Sequence, residues 1–325
     1  MAEAITAAAG VRATTSPNPW VGAVLETVDG QVFVGATEPP GGRHAEIVAI
    51  DAARHAGADT TGAAVWSTLE PCSHTGRTGP CTTALLEAGV ARVVVGLVDP
   101  DPLVTGRGVD HLRAARVEVV IGVGESAVRE QLAPYVKHRT TGRPWVVLKL
   151  AASLDGRTAA PDGSSQWITG EEARADVHRL RAESDAILVG AGTVRADDPE
   201  LTVRTQPVDR QPVRVVLGHA PESAKVRPCV ELAGPLPSVL DDLGQQGIVQ
   251  LMVEGGPTVA HAFHREGLVD RYVLYVAPVL FGGDDGRALF SGPGAPTIAD
   301  VWRGRIATVD RLGDDLRIEL EGTSV

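Results

Sequence analysis

The fold is decided by the stretch that begins His44-Ala45-Glu46 and ends Glu70-Pro71-Cys72-Ser73-His74-Thr75-Gly76-Arg77-Thr78-Gly79-Pro80-Cys81. It supplies one imidazole, two thiols and a carboxylate that lies two residues from the imidazole. Imidazole nitrogen and thiolate sulfur are preferred zinc ligands, and a site with three protein ligands keeps a fourth position open, as catalytic zinc sites do. The sequence therefore predicts a zinc ion held by His44, Cys72 and Cys81.

Two plainer interpretations compete with a catalytic zinc. A lone His-x-Glu at the start of a helix is more often a solvated turn, and a structural zinc would need a fourth protein ligand, for which His74 is the nearby candidate. Both cysteines, however, follow a strand predicted at Ala64–Ser67, and α/β sheets collect ligand sites at the carboxyl ends of their strands. Helix N-termini also lower the pKa of thiols, which favours the thiolate ligands that zinc needs.

The carboxylate gives the predicted site a chemistry. His-x-Glu followed by Pro-Cys and a second cysteine is the pattern of nucleobase zinc deaminases, in which the glutamate is not a metal ligand. Here eight residues, rather than two, separate the cysteines. Two thiolates roughly cancel the zinc charge, while zinc-bound water has a pKa of about 7. We expect Glu46 to accept the proton of that water and to pass it to the ring and to the departing ammonia.

Composition limits the classes of protein that fit. With 325 residues and 43% hydrophobic content, the chain is long enough for two domains with buried cores. A net charge of −11 argues against a general electrostatic grip on nucleic acid or on an acidic membrane surface, which leaves a small-molecule substrate. Three cysteines make a disulfide framework improbable, and Cys229 is expected to be a spare thiol.

Targeting signals are not evident in the sequence. The first ten residues lack a basic region, and no apolar run approaches the roughly 20 residues needed to cross a bilayer. We therefore expect a cytoplasmic protein. The sequence leaves the oligomeric state open, a homo-oligomer included.

The first half of the chain predicts one complete α/β domain. Continuous β-branched runs such as Arg92–Leu97 are typical of parallel strands with both faces covered. The turn Asp29-Gly30 predicts a hairpin. The predicted strands are Val21–Leu25, Gln31–Ala36, Ala64–Ser67, Arg92–Leu97 and Val117–Ile121, and the predicted helices are 1–10, His44–His55, Pro80–Ala88 with Pro80 as the first helical residue, Val109–Ala115 and Glu125–Arg139.

A second alternation begins after Thr141-Gly142-Arg143-Pro144, so we predict domains at 1–142 and 143–325. Thr169 to Glu172 has the form of a capping box. Residues 219–247, rich in Pro and Gly, predict no element. Strands are predicted at Trp145–Leu150, Ala186–Val189, Val213–Leu217, Val249–Glu254, Arg271–Val276, Arg305–Val309 and Leu316–Leu320, with helices from Thr169 to Ala182 and from the Gly255-Gly256 turn to Glu266.

Further motifs make the pattern specific to a family. The chain resembles the bifunctional deaminase–reductases of riboflavin biosynthesis over nearly its whole length, the eight-residue cysteine spacing included. The matching segments are Ser16-Pro17-Asn18-Pro19, Val21-Gly22-Ala23-Val24, Thr68–His74, Asp99-Pro100, Lys149–Thr158, Ser165–Thr169, Leu180-Arg181-Ala182, Gly192-Thr193-Val194, Ala196–Pro199, Leu201–Arg204 and Val253–Thr258. The resemblance implies an N-terminal cytidine-deaminase-like three-layer α/β/α domain and a C-terminal dihydrofolate-reductase-like α/β domain.

The resemblance also implies substrates, cofactors and site residues. A phosphorylated ribosylaminopyrimidine would be deaminated with Zn²⁺, with Glu46 as the catalytic residue, and NADPH would then reduce its ribosyl group to ribityl. The implied NADPH contacts are Ala151, Trp167, Thr193, Asp197, Gly256, Pro257, Thr258, Val259, Ala260, His261 and Ala262. The implied substrate contacts are Asn18, Arg77, Asp99, Ser165, Arg181, Leu201, Arg204 and Glu254. Lys149 joins them because an unpaired core charge is costly, so its ammonium is expected to point into the cleft.

Several of these residues have plainer roles to set against the functional ones. Asn18 would suit an Asx turn before Pro19, and Arg77 would suit a solvated loop. Trp167 would suit a core, and Asp197 a helix or turn cap. Two glycines before a helix let a backbone approach a diphosphate, but Gly-Gly turns are common in α/β proteins.

The chain also departs from the family pattern. Asp101 stands where the family usually has Asn, Arg116 stands where it has Gly, and the segment 219–247 is shortened. These departures leave two other functions open. One is a paralogue that acts on a related pyrimidine or pterin, and the other is a protein whose second half serves only as a ligand-binding or assembly module.

Overall fold

The computed structural model describes residues 1–74, 79–102 and 104–322, and the chain divides into two compact units, Met1–Arg143 and Pro144–Val325. In chain order the elements of the first unit are α1 (Ala2–Gly10), β1 (Gly22–Glu26), β2 (Val32–Ala36), α2 (Ala45–His55), β3 (Ala64–Leu69), α3 (Cys81–Glu87), β4 (Arg92–Leu97), α4 (Arg107–Ala114), β5 (Glu118–Ile121), α5 (Glu125–Gln131) and α6 (Ala133–Thr141).

The strands of the first unit form a sheet in the order β2-β1-β3-β4-β5. Strands β1 and β2 form an antiparallel hairpin, and β1 also pairs antiparallel with β3. Strands β4 and β5 are parallel, as their β-branched runs predict, and β3 is parallel to β4. Because β3 and β4 are parallel neighbours, the residues that follow Leu69 and Leu97 leave the sheet at the same edge.

A helix packs against each face of the hairpin so closely that helix backbone lies next to strand backbone. Neighbouring residues of a strand point to opposite faces, so Gly22 and Ala23 face different layers, and Gly35 faces the same layer as its partner Ala23. A Cβ added at Gly22 would clash with the backbone of Ala4 in α1, and one added at Gly35 would clash with the backbone of Ala45 in α2. The first unit therefore has the helix–sheet–helix layering that the family resemblance implies.

Two details of the first unit differ from the sequence predictions, and one departure from the family pattern has a structural counterpart. The single helix predicted over Glu125–Arg139 is two helices, because Pro134 cannot donate a backbone hydrogen bond and a new helix starts around it. Pro80 caps α3 rather than opening it. Arg116 has a φ of 67°, a left-handed conformation that favours glycine, which fits the glycine that the family pattern has there.

The second unit contains a larger sheet. Its elements are β6 (Trp145–Ser153), β7 (Arg157–Ala159), α7 (Glu171–Ala182), β8 (Ala186–Gly190), α8 (Ala191–Asp197), β9 (Val213–Leu217), β10 (Val230–Leu232), α9 (Leu236–Gln245), β11 (Gln250–Val253), α10 (Pro257–Arg265), β12 (Arg271–Ala277), β13 (Arg287–Ala288), β14 (Gly304–Leu312) and β15 (Asp315–Gly322). Eight strands lie in the order β10-β9-β8-β11-β6-β12-β15-β14, while β7 and β13 pair separately. Neighbours from β10 to β12 are parallel, and β15 and β14 add antiparallel pairs.

Two hydrophobic clusters sandwich this sheet. Val146 and Leu148 of β6 pack in one cluster with α9 and α10, whereas Val147, between them, packs in the other with α7. The same alternation recurs in β8. Both faces of the central strands are therefore buried, which explains why their sequences are continuously apolar.

Two predictions for the second unit were wrong. Residues 219–247, predicted to hold no element, contain β10 and α9, and α9 buries its apolar face in the core. The capping box is absent, because α7 is capped by Gly170, whose N–H donates to Asp315 Oδ2 at 2.7 Å. Within the described residues, no helix combines the length and the apolar character that crossing a membrane would require.

Candidate active sites

The three predicted zinc ligands lie together in the first unit. His44 caps α2, Cys72 follows β3, and Cys81 is the first residue of α3. His44 Nδ1 lies 3.2 Å from Cys81 Sγ and 3.6 Å from Cys72 Sγ, and all three ligand atoms lie within 4.8 Å of one another. A tetrahedral zinc with bonds of about 2.0–2.3 Å separates its ligand atoms by roughly 3.3–3.8 Å. The donor set and its spacing therefore fit zinc.

The two thiols of this cluster have pKa values that are shifted in opposite directions. Cys72 Sγ accepts hydrogen bonds from the Cys81 side chain, from His44 and from the backbone N–H of Cys81 at 3.3 Å, which together lower the pKa of Cys72 to about 4. The same contact with Cys72, and burial, raise the pKa of the Cys81 thiol. Cys72 is thus prepared as a thiolate, the form in which cysteine binds a metal.

Glu46 lies beside the ligands but is not one of them. It occupies the first turn of α2, is 3% exposed, and has Ser67 Oγ 3.3 Å from its Oε1. Burial raises the pKa of Glu46, and the negative charge of Cys72 raises it further. A carboxyl group with a raised pKa next to a metal site is suited to accept and return a proton near neutral pH.

A cavity of about 500 Å³ opens onto these residues. His44, Glu46 and Cys72 line it, together with the predicted substrate contacts Asn18 and Asp99. Burial raises the pKa of Asp99, whose carboxylate accepts a hydrogen bond from the Tyr135 hydroxyl at 3.3 Å. Arg77, the remaining predicted contact, lies outside the described residues.

His74 and Glu70 also line this cavity, with different consequences. His74 is exposed and is not part of the three-residue ligand cluster found among the described residues, so the alternative of a four-ligand structural zinc gains no support. Glu70 is 4% exposed, and the sequence analysis gave it no role of its own.

Glu70 holds the loop that carries Asp99. Its Oε2 accepts the backbone N–H groups of Asp99 at 3.1 Å and Gly106 at 2.9 Å, and its Oε1 accepts those of Gly108 at 2.8 Å and Val109 at 3.1 Å. The carboxylate of Glu70, which lies two residues before Cys72, therefore fixes both ends of the β4–α4 loop. The sequence shows only that an acidic residue precedes Pro71-Cys72. Its hydrogen bonds to a distant loop cannot be predicted from that position.

The second unit contains a larger cavity, of about 780 Å³, among the loops at the carboxyl ends of its parallel strands. Ten of the residues that the resemblance implies for cofactor or substrate line it: Lys149, Ala151, Ser165, Thr193, Asp197, Glu254, Gly256, Pro257, Thr258 and Val259.

The start of α10 forms one wall of this second cavity. Gly256 caps the helix, and its N–H donates to Thr193 Oγ1 at 3.2 Å, which ties the turn to α8. Pro257 follows in the first turn, where a missing N–H does no harm. The free N–H groups of the first turn are oriented as an anion such as a diphosphate requires.

A partly buried ion pair and a partly buried lysine lie at the second cavity, which Arg195, Asp197 and Arg287 also line. Arg181 Nε and Nη2 donate to the two carboxylate oxygens of Glu254 at 2.6 and 3.0 Å, and Arg181 Nη1 donates to Thr202 O at 3.0 Å. Burial raises the pKa of Glu254, but Arg181 outweighs it and the net shift is downward. Burial lowers the pKa of Lys149, an effect that Glu254 opposes. Lys149 lines the cavity.

The other implied residues do not line the second cavity. Ala260 is fully buried in the core, and His261 Nε2 lies 2.9 Å from Pro293 O. Arg204 pairs with Glu200 at 2.9 Å. The remaining residues of this group are Arg181, Leu201, Ala262 and Trp167.

Trp167 lies in a separate, smaller cavity of the second unit that shares Ser165 with the larger one. The alternative that Trp167 belongs to a core is wrong, because the side chain is 69% exposed. The guanidinium of Arg174 lies 4.9 Å from the centre of its ring.

Comparison with known proteins agrees with this two-site architecture. Residues 1–97 match the family model described as the cytidine and deoxycytidylate deaminase zinc-binding region, and residues 144–318 match that of the RibD C-terminal domain. The riboflavin biosynthesis protein RibD of Escherichia coli K12 is 40% identical over 99% of this chain and 98% of its own length. That of Mycobacterium tuberculosis H37Rv is 42% identical over 95% of this chain and 93% of its own.

Solved structures give the same result. Acinetobacter baumannii RibD has a TM-score of 0.92 at 38% identity, covering 99% of this chain and 98% of its own. A Thermotoga maritima protein described as a diaminohydroxyphosphoribosylaminopyrimidine deaminase and 5-amino-6-(5-phosphoribosylamino)uracil reductase has a TM-score of 0.89 at 34% identity, covering 99% and 97%. The chain belongs to the RibD family of riboflavin biosynthesis, and it is an enzyme that joins a deaminase domain to a reductase domain.

Proposed function

We propose that the first domain hydrolytically deaminates 2,5-diamino-6-ribosylamino-pyrimidinone 5′-phosphate and that the second reduces the ribosyl group of the product to ribityl with NADPH. The observation that carries the first step is Glu46, buried beside the His44–Cys72–Cys81 cluster in one cavity with Asn18 and Asp99. The description of the Thermotoga maritima relative supports this substrate pair.

The residues of the first cavity have distinct roles in this proposal. His44, Cys72 and Cys81 would hold a zinc ion, which would supply an activated water molecule for attack on the amino-bearing carbon of the ring. A carboxylate oxygen of Glu46 accepts one proton from the attacking water and gives it to a ring nitrogen. It then accepts the second proton of that oxygen and gives it to the amine, which departs as ammonia. Asn18 and Asp99 orient the pyrimidine, and Arg77 contributes a cation.

The second cavity holds NADPH and the sugar in this proposal. A reductase domain fits a nicotinamide cofactor, which would supply a hydride to the sugar C1 of the ring-opened imine while the imine nitrogen gains a proton. Lys149, Arg181 and Glu254 set the charge around the opened sugar, with Ser165, Leu201 and Arg204 as further substrate contacts. The NADPH contacts are Ala151, Trp167, Thr193, Asp197 and the segment from Gly256 to Ala262. The proposal also places the enzyme in the cytoplasm, where reduced thiols are the rule.

The alternative functions find little support. A chain whose second half only binds a ligand or assembles would not be expected to match the reductase family over residues 144–318. A paralogue with a different pyrimidine or pterin substrate would retain the same site, but RibD relatives at about 40% identity over the full chain favour the riboflavin reaction.

Product mass spectrometry tests the proposal. The purified enzyme is incubated with the diaminopyrimidinone substrate alone, with NADPH and with NADH. We expect the deaminated ribosyl product without cofactor and the deaminated ribityl product with NADPH. Chelation of zinc should abolish the first product, while reduction of substrate that is already deaminated continues. An unchanged substrate mass would refute the deaminase assignment, and equal rates with NADH would refute the choice of NADPH.

A further inference from the structure

The charges around the first cavity are mostly negative. Among the described residues that line it, the carboxylates are Glu46, Glu70, Asp99 and Asp101, whereas Arg139 carries the fixed positive charge. Glu70 is occupied by four backbone N–H groups and Asp99 by Tyr135. A substrate that carries a phosphate must meet a cation in this cavity, since desolvating an unpaired dianion is costly.

Arg139 is placed to be that cation. It lies one turn after Tyr135 in α6, and its guanidinium carbon is 5.1 Å from the centre of the tyrosine ring. The ring is itself held, because its hydroxyl contacts both carboxylate oxygens of Asp99 at 3.3 Å. Stacking of this kind orients an arginine without occupying its hydrogen-bond donors.

The contact between Arg139 and Asp101 is loose. Arg139 Nε lies 4.0 Å from Asp101 Oδ2, beyond hydrogen-bond distance, and this buried nitrogen has no hydrogen-bond acceptor among the residues that the structure describes. About a third of the arginine side chain is exposed, and the residue lines the cavity. A phosphate offers three acceptor oxygens and nearly twice the charge of a carboxylate, so it competes well for this guanidinium.

We propose that Arg139 binds the phosphate monoester of the deaminase substrate, and that Asp101 balances its charge when no anion is bound. This inference rests on the proposed function, in which the substrate is phosphorylated. It makes Arg139 a specificity-determining residue, because its guanidinium interacts with the phosphorylated ribosylaminopyrimidine and not with the dephosphorylated form. A cavity of about 500 Å³ is within the range that ligands of this size occupy.

The test compares the phosphorylated substrate with the same compound lacking its phosphate. Deaminase kcat/KM is measured for both in the wild type, in Arg139→Gln and Arg139→Lys, and in Arg129→Gln as a matched control on the exposed face of α5. Arg139→Gln should lower kcat/KM for the phosphorylated substrate about 10- to 100-fold, the loss expected for a charged hydrogen bond, with little change for the dephosphorylated one. Arg139→Lys should fall between, and Arg129→Gln should match the wild type.

Two outcomes would overturn the inference. Equal losses on both substrates would mean that Arg139 only supports the fold, and an undiminished preference for phosphate would assign the anion to another residue, Arg77 being the first to test. Zinc content and the reductase rate show whether each variant is folded.

A binding measurement separates this inference from the proposed function. Titration with ribose 5-phosphate by calorimetry does not depend on the identity of the pyrimidine. Loss of one class of site in Arg139→Gln supports the inference even if the proposed substrate is not turned over, and isotherms identical to the wild type refute it.

Discussion

Replacement of Glu70 should markedly lower the stability of the first domain. Its carboxylate accepts the backbone N–H groups of Asp99, Gly106, Gly108 and Val109 at 2.8–3.1 Å, and the side chain is 4% exposed. Glu70→Ala removes all four acceptors. Glu70→Gln keeps one carbonyl oxygen for two of the N–H groups and turns an amide, which cannot accept, toward the other two.

The magnitude follows from the number of donors left without an acceptor. A buried donor that loses its acceptor costs about 1–3 kcal/mol, and the lower end applies here because the cavity can admit water. Glu70→Gln should therefore cost about 2 kcal/mol and Glu70→Ala about 4 kcal/mol. For a unit of this size, roughly 3–4 °C per kcal/mol gives a loss in Tm of roughly 6–8 °C and 12–16 °C.

Scanning calorimetry at a fixed zinc concentration measures this effect, because bound metal also stabilises the folded state. The transition of the first domain should shift and that of the second should stay in place, which provides an internal control. Glu87→Gln, on the exposed face of α3, is the matched control substitution. If the free energy of unfolding of both Glu70 variants lies within about 1 kcal/mol of that control, the four N–H groups find other partners and the expected loss of stability is refuted.

Three other predictions concern catalysis and pH. Glu46→Gln should reduce deamination by about 10²–10⁴-fold or more while zinc content and reduction of deaminated substrate persist; zinc loss in this variant would show that the residue supports the metal. Glu254→Gln should lower reductase kcat/KM by about 10- to 100-fold through loss of a charged hydrogen bond, with deamination intact, and unchanged reduction would leave the residue as a strand terminus. The Gly282 N–H and the Ser153 hydroxyl lower the pKa of Asp155 from 3.8 to about 2, so its carboxylate stabilises the fold above pH 3.8 and loses that contribution as pH falls toward 2. The stability difference between wild type and Asp155→Asn, measured by urea unfolding, should shrink between pH 5 and pH 3, and a constant difference would contradict this.

The sequence predicts the zinc cluster because imidazole and thiol side chains are distinctive ligand types that stand at recognisable positions. His44 and Cys81 lie at helix starts and Cys72 follows a strand. The roles of Glu70 and Arg139 are harder to predict. Each depends on contacts with loop residues some 30 positions away along the chain, and such contacts obey no spacing rule.

The missed elements in the second domain have a different cause. Segment 219–247 contains four Pro and three Gly residues, which mask the helix α9. This helix begins after Pro235 and owes its order to burial of Val239, Leu240 and Leu243. Tertiary packing outweighs local composition there. In the same way, the sequence cannot reveal which half of the Gly256–Ala262 segment lines the cavity, because that follows from the orientation of α10.

Gly35 has a consequence for the evolution of the enzyme. It is not among the residues that line the first cavity, yet any side chain there would displace Ala45, which stands between the ligand His44 and the acid Glu46. In a scan of all single substitutions under selection for riboflavin, Gly35 should tolerate as few replacements as the ligands themselves. Variation that adapts the first domain to new substrates is then excluded from these close helix–strand contacts, since Gly22 and Gly35 leave no space for a larger residue.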